Sequence, residues 1–600
     1  MEDLLKKSFV TGVERVAAWA DLLDAINVYP VADGDTGRNL SISLSPLRFA
    51  NGEGDKVVRQ LLMAARGNSG NIASQFFSAF YTESFLNLKK AVREGKDRAW
   101  KAVSDPRAGT MLSVFDALEE ILSIQGFTSD PKSTDRIMSQ LEKAVRDTRE
   151  ALPKLRDAGV VDSGALGMYI FFEGFFQTLS GHTNSYRPVT EVFPGCLTIS
   201  STFKETLESG YCVDFVVKAD ASSEDLVKIA GSQESAVIIH EGDLYKIHLH
   251  TDDKEKIRSR MSALGPVLNW EDDNLAAQIE QFSKAPAASA LHIMTDAAGS
   301  LTRDDAKKYG FTLLNSYLNV GEKSLPETYC HPDDLYKAMR AGMKVSTSQA
   351  SVFERHQFYA SVMARFEKVL YLCVGSVFTG NYQVALDWKK EHDPENRFQV
   401  VDTGAASGRL GVIVLAALQY LAQTNDMEKT FAFAENAVKT CEEYVFLDKL
   451  QYLAAGGRLS KTSAFFGDML KMKPVVSPQP EGAKKVGVVR NRRDQIKMAL
   501  SKLAAALHKE SRALIMLEYS DNVEQVSAFR EKVRRLYPRA DVRLQPLSLT
   551  SGAHMGPGTW GVAFLKVTSD ERRATSNEQR AMSNERRATS NEQRATSNEQ

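Results

Sequence analysis

Residues 28–39 read VYPVADGDTGRN, a segment too rich in turn-forming residues to be a regular helix or strand. Asp33 and Asp35 flank Gly34, so a turn here can direct both carboxylates to one point. Carboxylates this close repel each other unless raised pKa values, cationic partners or a divalent metal relieve the repulsion. Taken alone, the stretch is better explained as an exposed turn that caps the following helix.

Three glycine-rich loops in the same region each precede a predicted helix. Backbone N–H groups at a helix start can hold a phosphate, although a single loop of this kind is often only a tight connection. Three such loops beside a carboxylate turn favour a site for a nucleotide and magnesium. The loops are ARGNSGN (65–71), DPRAGT (105–110) and DAGVVDSGALG (157–167).

The composition of the 600-residue chain is ordinary, with 43% hydrophobic residues, 25% charged residues and a formal net charge of -1. That balance gives no overall charge for binding nucleic acid or membrane, and the length predicts roughly three to five domains. Five cysteines without CxxC spacing argue against a disulfide framework and predict a cytoplasmic protein. We expect neither a signal peptide nor a membrane span, and LGVIVLAALQYLAQ (410–423) predicts a buried helix.

Changes in periodicity divide the chain into four segments. The first repeats apolar residues at helical spacing, the second mixes short strands and helices, and the third alternates apolar strands with helices around a mostly parallel sheet. The fourth repeats a heptapeptide of the type RATSNEQ and predicts a disordered tail, because its units lack the large apolar residues of a coiled coil. The segments are 1–190, 195–285, 291–568 and 569–600, with a linker at 283–290.

A second site is predicted in the α+β segment. His248 and His250 in HLH share one face of a strand, because strand side chains alternate. Cys212 on another predicted strand would complete a three-ligand Zn²⁺ site with an open position. The residues alone favour a solvated strand face with a separate buried cysteine.

A third site is predicted in the α/β segment. Hydroxyl-rich STSQASVFE (346–354) and GSVFTGNY (375–382) precede predicted helices, GGRLSK (456–461) adds Arg458, and HMGPGTWG (554–561) adds His554. Hydroxyls and N–H groups can hold a carboxylate, and an arginine can neutralise it or an incoming phosphoryl group.

The first segment resembles the ATP-binding domain of dihydroxyacetone kinases, particularly the domain at the N-terminus of bacterial fatty acid kinase. The resemblance rests on the carboxylate turn and the three glycine loops and implies an all-α, barrel-like kinase domain. It implies that Asp33 and Asp35 coordinate Mg²⁺ on ATP, and it leaves Asn27 open as a third ligand where dihydroxyacetone kinases have an aspartate. The residues implied near the nucleotide are Asn39, Asn68, Ser69, Gly70, Gly109, Thr110 and Asp162.

The other two segments extend the resemblance. YCVDF and IHLHT resemble the fatty acid kinase middle domain, which implies zinc binding by Cys212, His248 and His250 and a part for the histidines in phosphoryl transfer. Residues 291–568 resemble the two-subdomain α/β fold of the DegV family of fatty-acid-binding proteins. That resemblance implies an acyl carboxylate site formed by Thr347, Ser348, Ser376, Arg458 and His554, with Arg458 also catalytic.

The resemblances together imply an ATP-dependent fatty acid kinase fused to its binding protein, making acyl phosphate from a long-chain fatty acid with ATP, Mg²⁺ and Zn²⁺. A lipid carrier or regulator without activity, and a dihydroxyacetone kinase, are the alternatives. For the fatty acid kinase, a downstream acyltransferase of phospholipid synthesis, a transient contact with the membrane and a homodimer stay open as partners.

Overall fold

The computed structural model describes residues 2–49, 54–84, 87–182, 186–205, 209–219, 224–283, 290–321, 323–449, 451–452 and 472–566. These residues form two compact units. The first comprises the described residues of Met1–Ala287 together with Ala350–Arg365, and the second comprises those of Ala288–Gln349 and those from Phe366 onward. The predicted linker, apart from its ends, and the predicted repeat tail lie outside the described residues.

The N-terminal segment is helical, as its periodicity predicts. Two of its helices are separated at Leu152, because Pro153 disfavours helical geometry at that residue. The helices are α1 (Glu2–Ala25), α2 (Thr36–Ser43), α3 (Gly54–Ala64), α4 (Gly67–Ser84), α5 (Leu88–Ala102), α6 (Met111–Gln125), α7 (Pro131–Ala151), α8 (Pro153–Ala158), α9 (Ser163–Leu179) and α10 (Val189–Val192).

Helix α9 lies at the centre of the helical core. Its residues from Ser163 to Phe176 are all buried, which agrees with its apolar sequence on every face. Phenylalanines fill the space around it, including Phe76 and Phe115, whose stacked rings lie 4.0 Å apart between centroids. Helix α1 packs along α9 and carries the chain directly into the carboxylate turn.

The middle segment forms a four-stranded antiparallel sheet among its described residues, in the order β2-β3-β1-β4. Three of these strands are predicted by the sequence, whereas β4 is not, because its acidic end obscures the apolar alternation. The elements are β1 (Tyr211–Lys218), α11 (Glu224–Gly231), β2 (Glu234–Glu241), β3 (Leu244–Thr251), α12 (Lys254–Leu264), β4 (Val267–Asn274) and α13 (Leu275–Ser283).

The two faces of this sheet have different partners. One face, with Phe215 and Ile247, forms an apolar core with α11 and α12. The opposite face packs Val216 and Ile239 against Leu62 of α3 and neighbouring helical residues. Its polar side chains therefore face the helical segment, and the two segments form one unit.

The C-terminal segment alternates strands and helices. Its elements are β5 (Leu291–Asp296), α14 (Arg303–Tyr309), β6 (Thr312–Leu314), β7 (Tyr317–Val320), β8 (Lys323–Pro326), α15 (Pro332–Arg340), β9 (Val345–Ser348), α16 (Val352–Met363), β10 (Lys368–Cys373), α17 (Asn381–His392), β11 (Phe398–Asp402), α18 (Ser407–Thr424), α19 (Met427–Thr440), β12 (Glu442–Phe446), β13 (Lys473–Gln479), β14 (Gly482–Val489), α20 (Arg492–Ala506), β15 (Ala513–Tyr519), α21 (Val523–Leu536), β16 (Asp541–Pro546), α22 (Leu549–Met555) and β17 (Trp560–Lys566).

The prediction of a mostly parallel sheet is correct for only one of the described sheets. Strands β11-β10-β5-β6 are parallel throughout. The sheet β14-β13-β12-β17-β15-β16 is antiparallel except between β15 and β16, and the sheet β8-β7-β9 is antiparallel. For β13 and β14 the cause is local, since the two-residue connection Pro480–Glu481 can join only antiparallel neighbours.

The helix predicted at 410–423 is confirmed as part of α18, which is buried over residues 407–417 and more exposed beyond them. Among the described helices, none is both long enough and apolar enough to cross a membrane.

The close approach of α1 and α2 depends on Gly37. A Cβ at this position would lie 2.1 Å from the carbonyl oxygen of Ala20 on α1. We expect Gly37→Ala to cost about 1–3 kcal/mol, because the two helix backbones must separate. Thermal unfolding of the full chain should show a lower midpoint for this variant than for Gly231→Ala, whose Cβ would meet nothing nearer than 4.0 Å. Equal midpoints would show that the close approach of Gly37 to Ala20 does not affect the stability of the chain.

Candidate functional site

The carboxylate turn connects α1 to α2. Gly34 has φ +65°, the left-handed region that glycine tolerates, and it separates the half-buried Asp33 and Asp35. Asp35 occupies the N-cap position of α2 but makes no capping hydrogen bond with its side chain. Asp24 Oδ1 accepts instead from the N–H groups of Gly37 and Arg38, at 2.7 and 3.1 Å. The interpretation of this stretch as a helix-capping turn is therefore wrong for Asp35.

Asn27 is buried beneath this turn. Its Oδ1 accepts hydrogen bonds from Thr36 at 2.7 Å and Ser163 at 3.0 Å, and its Nδ2 donates to Asp33. Two hydrogen bonds fill the usual capacity of an amide oxygen. This geometry favours a role in orienting Asp33, while ligation of Mg²⁺ by Asn27 stays a prediction.

One cleft of about 310 Å³ joins the first two predicted sites. The carboxylate turn forms one side, the start of α4 another, and the polar face of the middle sheet a third. Its lining residues are Asn27, Tyr29, Pro30, Val31, Asp33, Asp35, Thr36, Gly67, Asn68, Ser69, Cys212, His248 and His250. The sequence predicts two separate sites, whereas the structure unites them.

The cysteine and the histidines meet through strand register. Cys212 on β1 lies directly opposite His250 on β3, and His248 lies two residues earlier on the same face. One ligand atom from each of these three buried residues lies within 4.8 Å of the other two. Two imidazoles and a thiol form a donor set suited to Zn²⁺.

Asp214 positions His248 within this cluster. Its Oδ2 lies 3.0 Å from His248 Nδ1, which assigns the proton of the neutral ring to Nδ1. His248 Nε2 is buried and has no hydrogen-bond partner among the residues that the structure describes. A histidine with one nitrogen bound to a carboxylate and the other available is a common arrangement at metal sites. The residues present therefore fit a metal.

The same carboxylate links the sheet to the helical segment. Gly67 N and Asn71 Nδ2 donate to Asp214 at 2.9 and 3.0 Å, and Lys246 Nζ lies 3.3 Å from it. Burial alone would raise the pKa of Asp214, but Lys246, His248 and these donors together hold it well below its ordinary value. Asp214 is not among the residues predicted from the sequence, although its position two residues after Cys212 places both side chains on one face.

The electrostatic environment disfavours the charged forms of Cys212 and His250. Burial, followed by the charges of Asp214, Asp35 and Asp33, raises the pKa of the Cys212 thiol well above its usual value. Burial, followed by the charge of His248, lowers the pKa of His250 to about 3. Because a metal binds the thiolate, its binding would release a proton from Cys212.

The other predicted nucleotide residues lie at helix starts and helix contacts. Thr110 caps α6, and Asp162 caps α9 while also accepting from the N–H of Met111, so these two helices begin side by side. Gly109 precedes this start and has φ +88°. Asn39 lines a second hollow of about 320 Å³ that shares Asp35 and Cys212 with the main cleft.

Gly70 has a packing role. A Cβ at this position would lie 2.0 Å from Ser43 Oγ of α2, so the glycine allows α2 and α4 to approach closely. Its position in the first turn of α4 is consistent with the prediction that its N–H lies near the nucleotide.

Four of the five predicted acyl-site residues lie among the described residues, and they make three contacts. Thr347 Oγ1 on β9 lies 3.0 Å from His554 Nε2 on α22. Ser348 Oγ accepts from Asn319 at 3.4 Å. The exposed Ser376 follows β10, and its N–H donates to Asp402 Oδ1 at 3.0 Å. Arg458 lies outside the described residues.

Three family models match consecutive parts of the chain. A DAK2 domain matches residues 30–177, a middle domain of the fatty acid kinase type matches 208–282, and the DegV family of uncharacterised proteins matches 290–567. The order of these three segments in one chain confirms the resemblance drawn from the sequence.

Relatives align with part of the chain. Protein YloV of Bacillus subtilis (strain 168) is 27% identical over 373 residues, which are 55% of this chain and 66% of the relative. An uncharacterized protein of Staphylococcus haemolyticus (strain JCSC1435) is 31% identical over 309 residues, 46% of this chain and 55% of the relative. The chain thus spans less than two thirds of the length of either relative. The solved structure of a fatty-acid-binding DegV family protein from Thermus thermophilus is 24% identical, with a TM-score of 0.43, and the match covers 46% of this chain and 99% of that chain.

The cluster geometry predicts metal binding that depends on the thiol. After removal of bound metal, the full chain should bind about one equivalent of Zn²⁺, and Cys212→Ser should weaken that binding at least about tenfold, because a thiolate ligand is lost. Cys196→Ser replaces another buried cysteine of the same unit and should bind Zn²⁺ as the wild type does. Competition with a chromophoric chelator measures both affinities, and equal affinities would argue against Cys212 as a ligand.

Asp214→Asn tests the carboxylate behind His248. We expect zinc affinity to fall by about 10- to 100-fold, because the amide orients the imidazole less well and leaves Lys246 without its counter-charge. Asp225→Asn, an exposed position on α11, is the matched control. The same chelator competition applies, and an unchanged affinity for Asp214→Asn would remove this residue from the site.

Proposed function

We propose that the chain is an ATP-dependent fatty acid kinase that converts a long-chain fatty acid held by its DegV-like segment into an acyl phosphate. The supporting observation is the single cleft lined by Asp33, Asp35, Cys212, His248 and His250. The match of the sheet-bearing segment to a middle domain of the fatty acid kinase type agrees with this activity.

ATP would bind with its phosphates at the carboxylate turn and the start of α4. The first N–H groups of a helix have no acceptor within that helix, and Asn68 and Ser69 belong to that first turn. Asp33 and Asp35 would hold Mg²⁺, which when bound neutralises phosphate charge. Asn27 would orient Asp33, and Thr36 would link the turn to Ser69, whose hydroxyl lies 3.2 Å away.

Cys212, His248 and His250 would hold Zn²⁺. A zinc ion at these donors supplies Lewis acidity. Asp214 and Lys246 would keep His248 in its tautomer and orientation, since both are buried beside it. The cluster would therefore be fixed before the substrates arrive.

The acyl carboxylate would be held by Thr347, Ser348, Ser376, Arg458 and His554. Transfer requires attack of a carboxylate oxygen on the γ-phosphorus of ATP, with cleavage of its bond to the β,γ-bridging oxygen and departure of ADP. A carboxylate needs no general base at neutral pH, so catalysis is mainly positioning and charge neutralisation. The acyl phosphate would then serve an acyltransferase of phospholipid synthesis.

Replacing Asp33 and Asp35 together with Asn tests this assignment. Acyl phosphate formation by the full chain, trapped with hydroxylamine, should fall at least about 100-fold, because the stabilisation of phosphate charge amounts to several kcal/mol. Palmitate retention, measured by native mass spectrometry, should not change. The double variant Asp135→Asn/Asp147→Asn alters two exposed carboxylates of the helical segment and should retain activity.

Two results would contradict the proposal. Full activity in the Asp33/Asp35 variant would remove the turn from catalysis. Palmitate binding without acyl phosphate formation by the wild type would favour a lipid carrier.

A further inference from the structure

Two arginines line the second hollow, which shares Asp35 and Cys212 with the main cleft. Among the described residues that line the cleft or the hollow, Arg38 and Arg66 are the ones with a permanent positive charge. Phosphoryl transfer depends on cations that neutralise the charge on the transferred group. The hollow is therefore the place to look for a side chain that contributes such a charge.

The backbone at Arg66 is held between a helix and the middle sheet. Its N–H donates to Ser43 Oγ of α2 at 3.0 Å, and the N–H of Gly67 donates to Asp214 Oδ2 at 2.9 Å. Gly67, with φ +59°, opens α4, whose first N–H groups have no acceptor within the helix. Arg66 thus directly precedes the helix start that the proposed function assigns to phosphate.

The guanidinium of Arg66 makes a bidentate contact with Glu271 of β4. Its Nη1 pairs with Oε2 and its Nη2 donates to Oε1. Strand register places Glu271 directly opposite Asp214, which itself lies opposite His248, so the three share one face of the sheet. The side chains of Arg66 and Glu271 are 28% and 34% exposed, so water reaches both partners and the pair can open at small cost.

The other carboxylates of the hollow do not prevent an anion from entering it. Asp214 pairs with Lys246, and Asp272 pairs with Lys254. Asp273 is exposed, so solvent and salt screen its charge. Release of Arg66 from Glu271 would therefore present a cation on this wall.

The lining of the two spaces suggests an orientation for the nucleotide. Tyr29, Pro30 and Val31 line the main cleft, whereas the second hollow lacks them and contains both arginines. A nucleotide with its base at this less polar end would extend its phosphates past Asp35, which lines both spaces. Its terminal phosphate would then be the part that reaches Arg66.

We infer that Arg66 binds the terminal phosphate of the nucleotide and that Glu271 holds its guanidinium when no nucleotide is bound. A guanidinium presents two parallel N–H groups, and phosphate oxygens meet them in the same way as carboxylate oxygens do. The terminal phosphate thus replaces Glu271 by exchange of one bidentate contact for another. The inference rests on the proposed function only in taking the cleft as a nucleotide site.

Binding of the nonhydrolysable β,γ-imido analogue of ATP to the full chain, with Mg²⁺, tests this role without relying on activity. Isothermal titration calorimetry should show at least about tenfold weaker binding for Arg66→Ala, because a bidentate, charge-assisted contact is lost. Binding of ADP should change much less, since ADP lacks the terminal phosphate. Arg66→Lys keeps the charge but not the fork, and its affinity should lie between those of the wild type and Arg66→Ala. Arg93→Ala, at an exposed position on α5, should bind both nucleotides as the wild type does.

Glu271→Gln tests the exchange of partners. It removes the charge that holds Arg66 with little change in volume, and it should strengthen binding of the analogue at least about twofold, the range of an exposed ion pair. In the Arg66→Ala background the same substitution should have no such effect, so the two changes form a double-mutant cycle. An equal gain in both backgrounds would show that Glu271 acts only as a general negative charge and would overturn the exchange.

The remaining outcomes separate this inference from the proposed function. Unchanged analogue binding in Arg66→Ala, or an equal loss of analogue and ADP binding, would overturn the assignment of Arg66 to the terminal phosphate. A wild-type chain that forms no acyl phosphate, but whose analogue binding depends on Arg66, would refute the proposed function and leave the inference intact. Normal acyl phosphate formation by Arg66→Ala, with unchanged analogue binding, would do the reverse.

Discussion

The buried carboxylate of Asp214 is the constraint on which the architecture of the first unit depends. A largely buried ionised carboxylate needs a counter-charge and hydrogen-bond donors, and Asp214 obtains them from two segments of the chain. Lys246 and His248 belong to the middle sheet, whereas Gly67 and Asn71 belong to the start of α4. Separation of the sheet from the helices would remove two donors from a buried charge. The hydrogen bonds of Asp214 therefore fix the position of the middle sheet on the helices, which non-directional apolar contacts alone would not do.

This fixed position explains why two chemically different groups share one cleft. The carboxylate turn is placed by α1 and by Asp24, which caps α2 from outside the turn. The cysteine and histidines are placed by strand register in a segment that follows much later in the chain. Phe282 of α13 adds a further contact, since a Cβ at Gly34 would lie 2.6 Å from its ring. The middle segment is thus held at both ends of the cleft, by Asp214 and by Phe282.

The sequence predicts those features that depend on local periodicity. Helices α1 and α9 and strands β1 and β3 follow from apolar spacing, and alternation correctly places His248 and His250 on one face. The union of the two sites could not be predicted, because it depends on contacts between distant segments. Strand β4 was missed because acidic residues obscure its apolar alternation. Most of the antiparallel pairs were missed because they join strands that are distant in the sequence, such as β12 and β17. Asp214 could have been predicted as a site residue, since it lies two residues after Cys212 and strand alternation places both side chains on the same face.

The hydroxyl-rich stretch at 346–354 shows how one motif can satisfy two structural requirements. As a sequence it predicts an anion site, because several hydroxyls precede a helix. In the structure Thr347 contacts His554 of the second unit, while Ser351 caps a helix of the first. The chain leaves the second unit after Gln349 and enters the first unit at Ala350, which is buried. Arg48 of the helical segment pairs with the buried Glu354 of this helix, and Arg15 donates to Gln357. Loss of the folded helical segment would leave the carboxylate of Glu354 without its counter-charge, so the position of the helix depends on that segment.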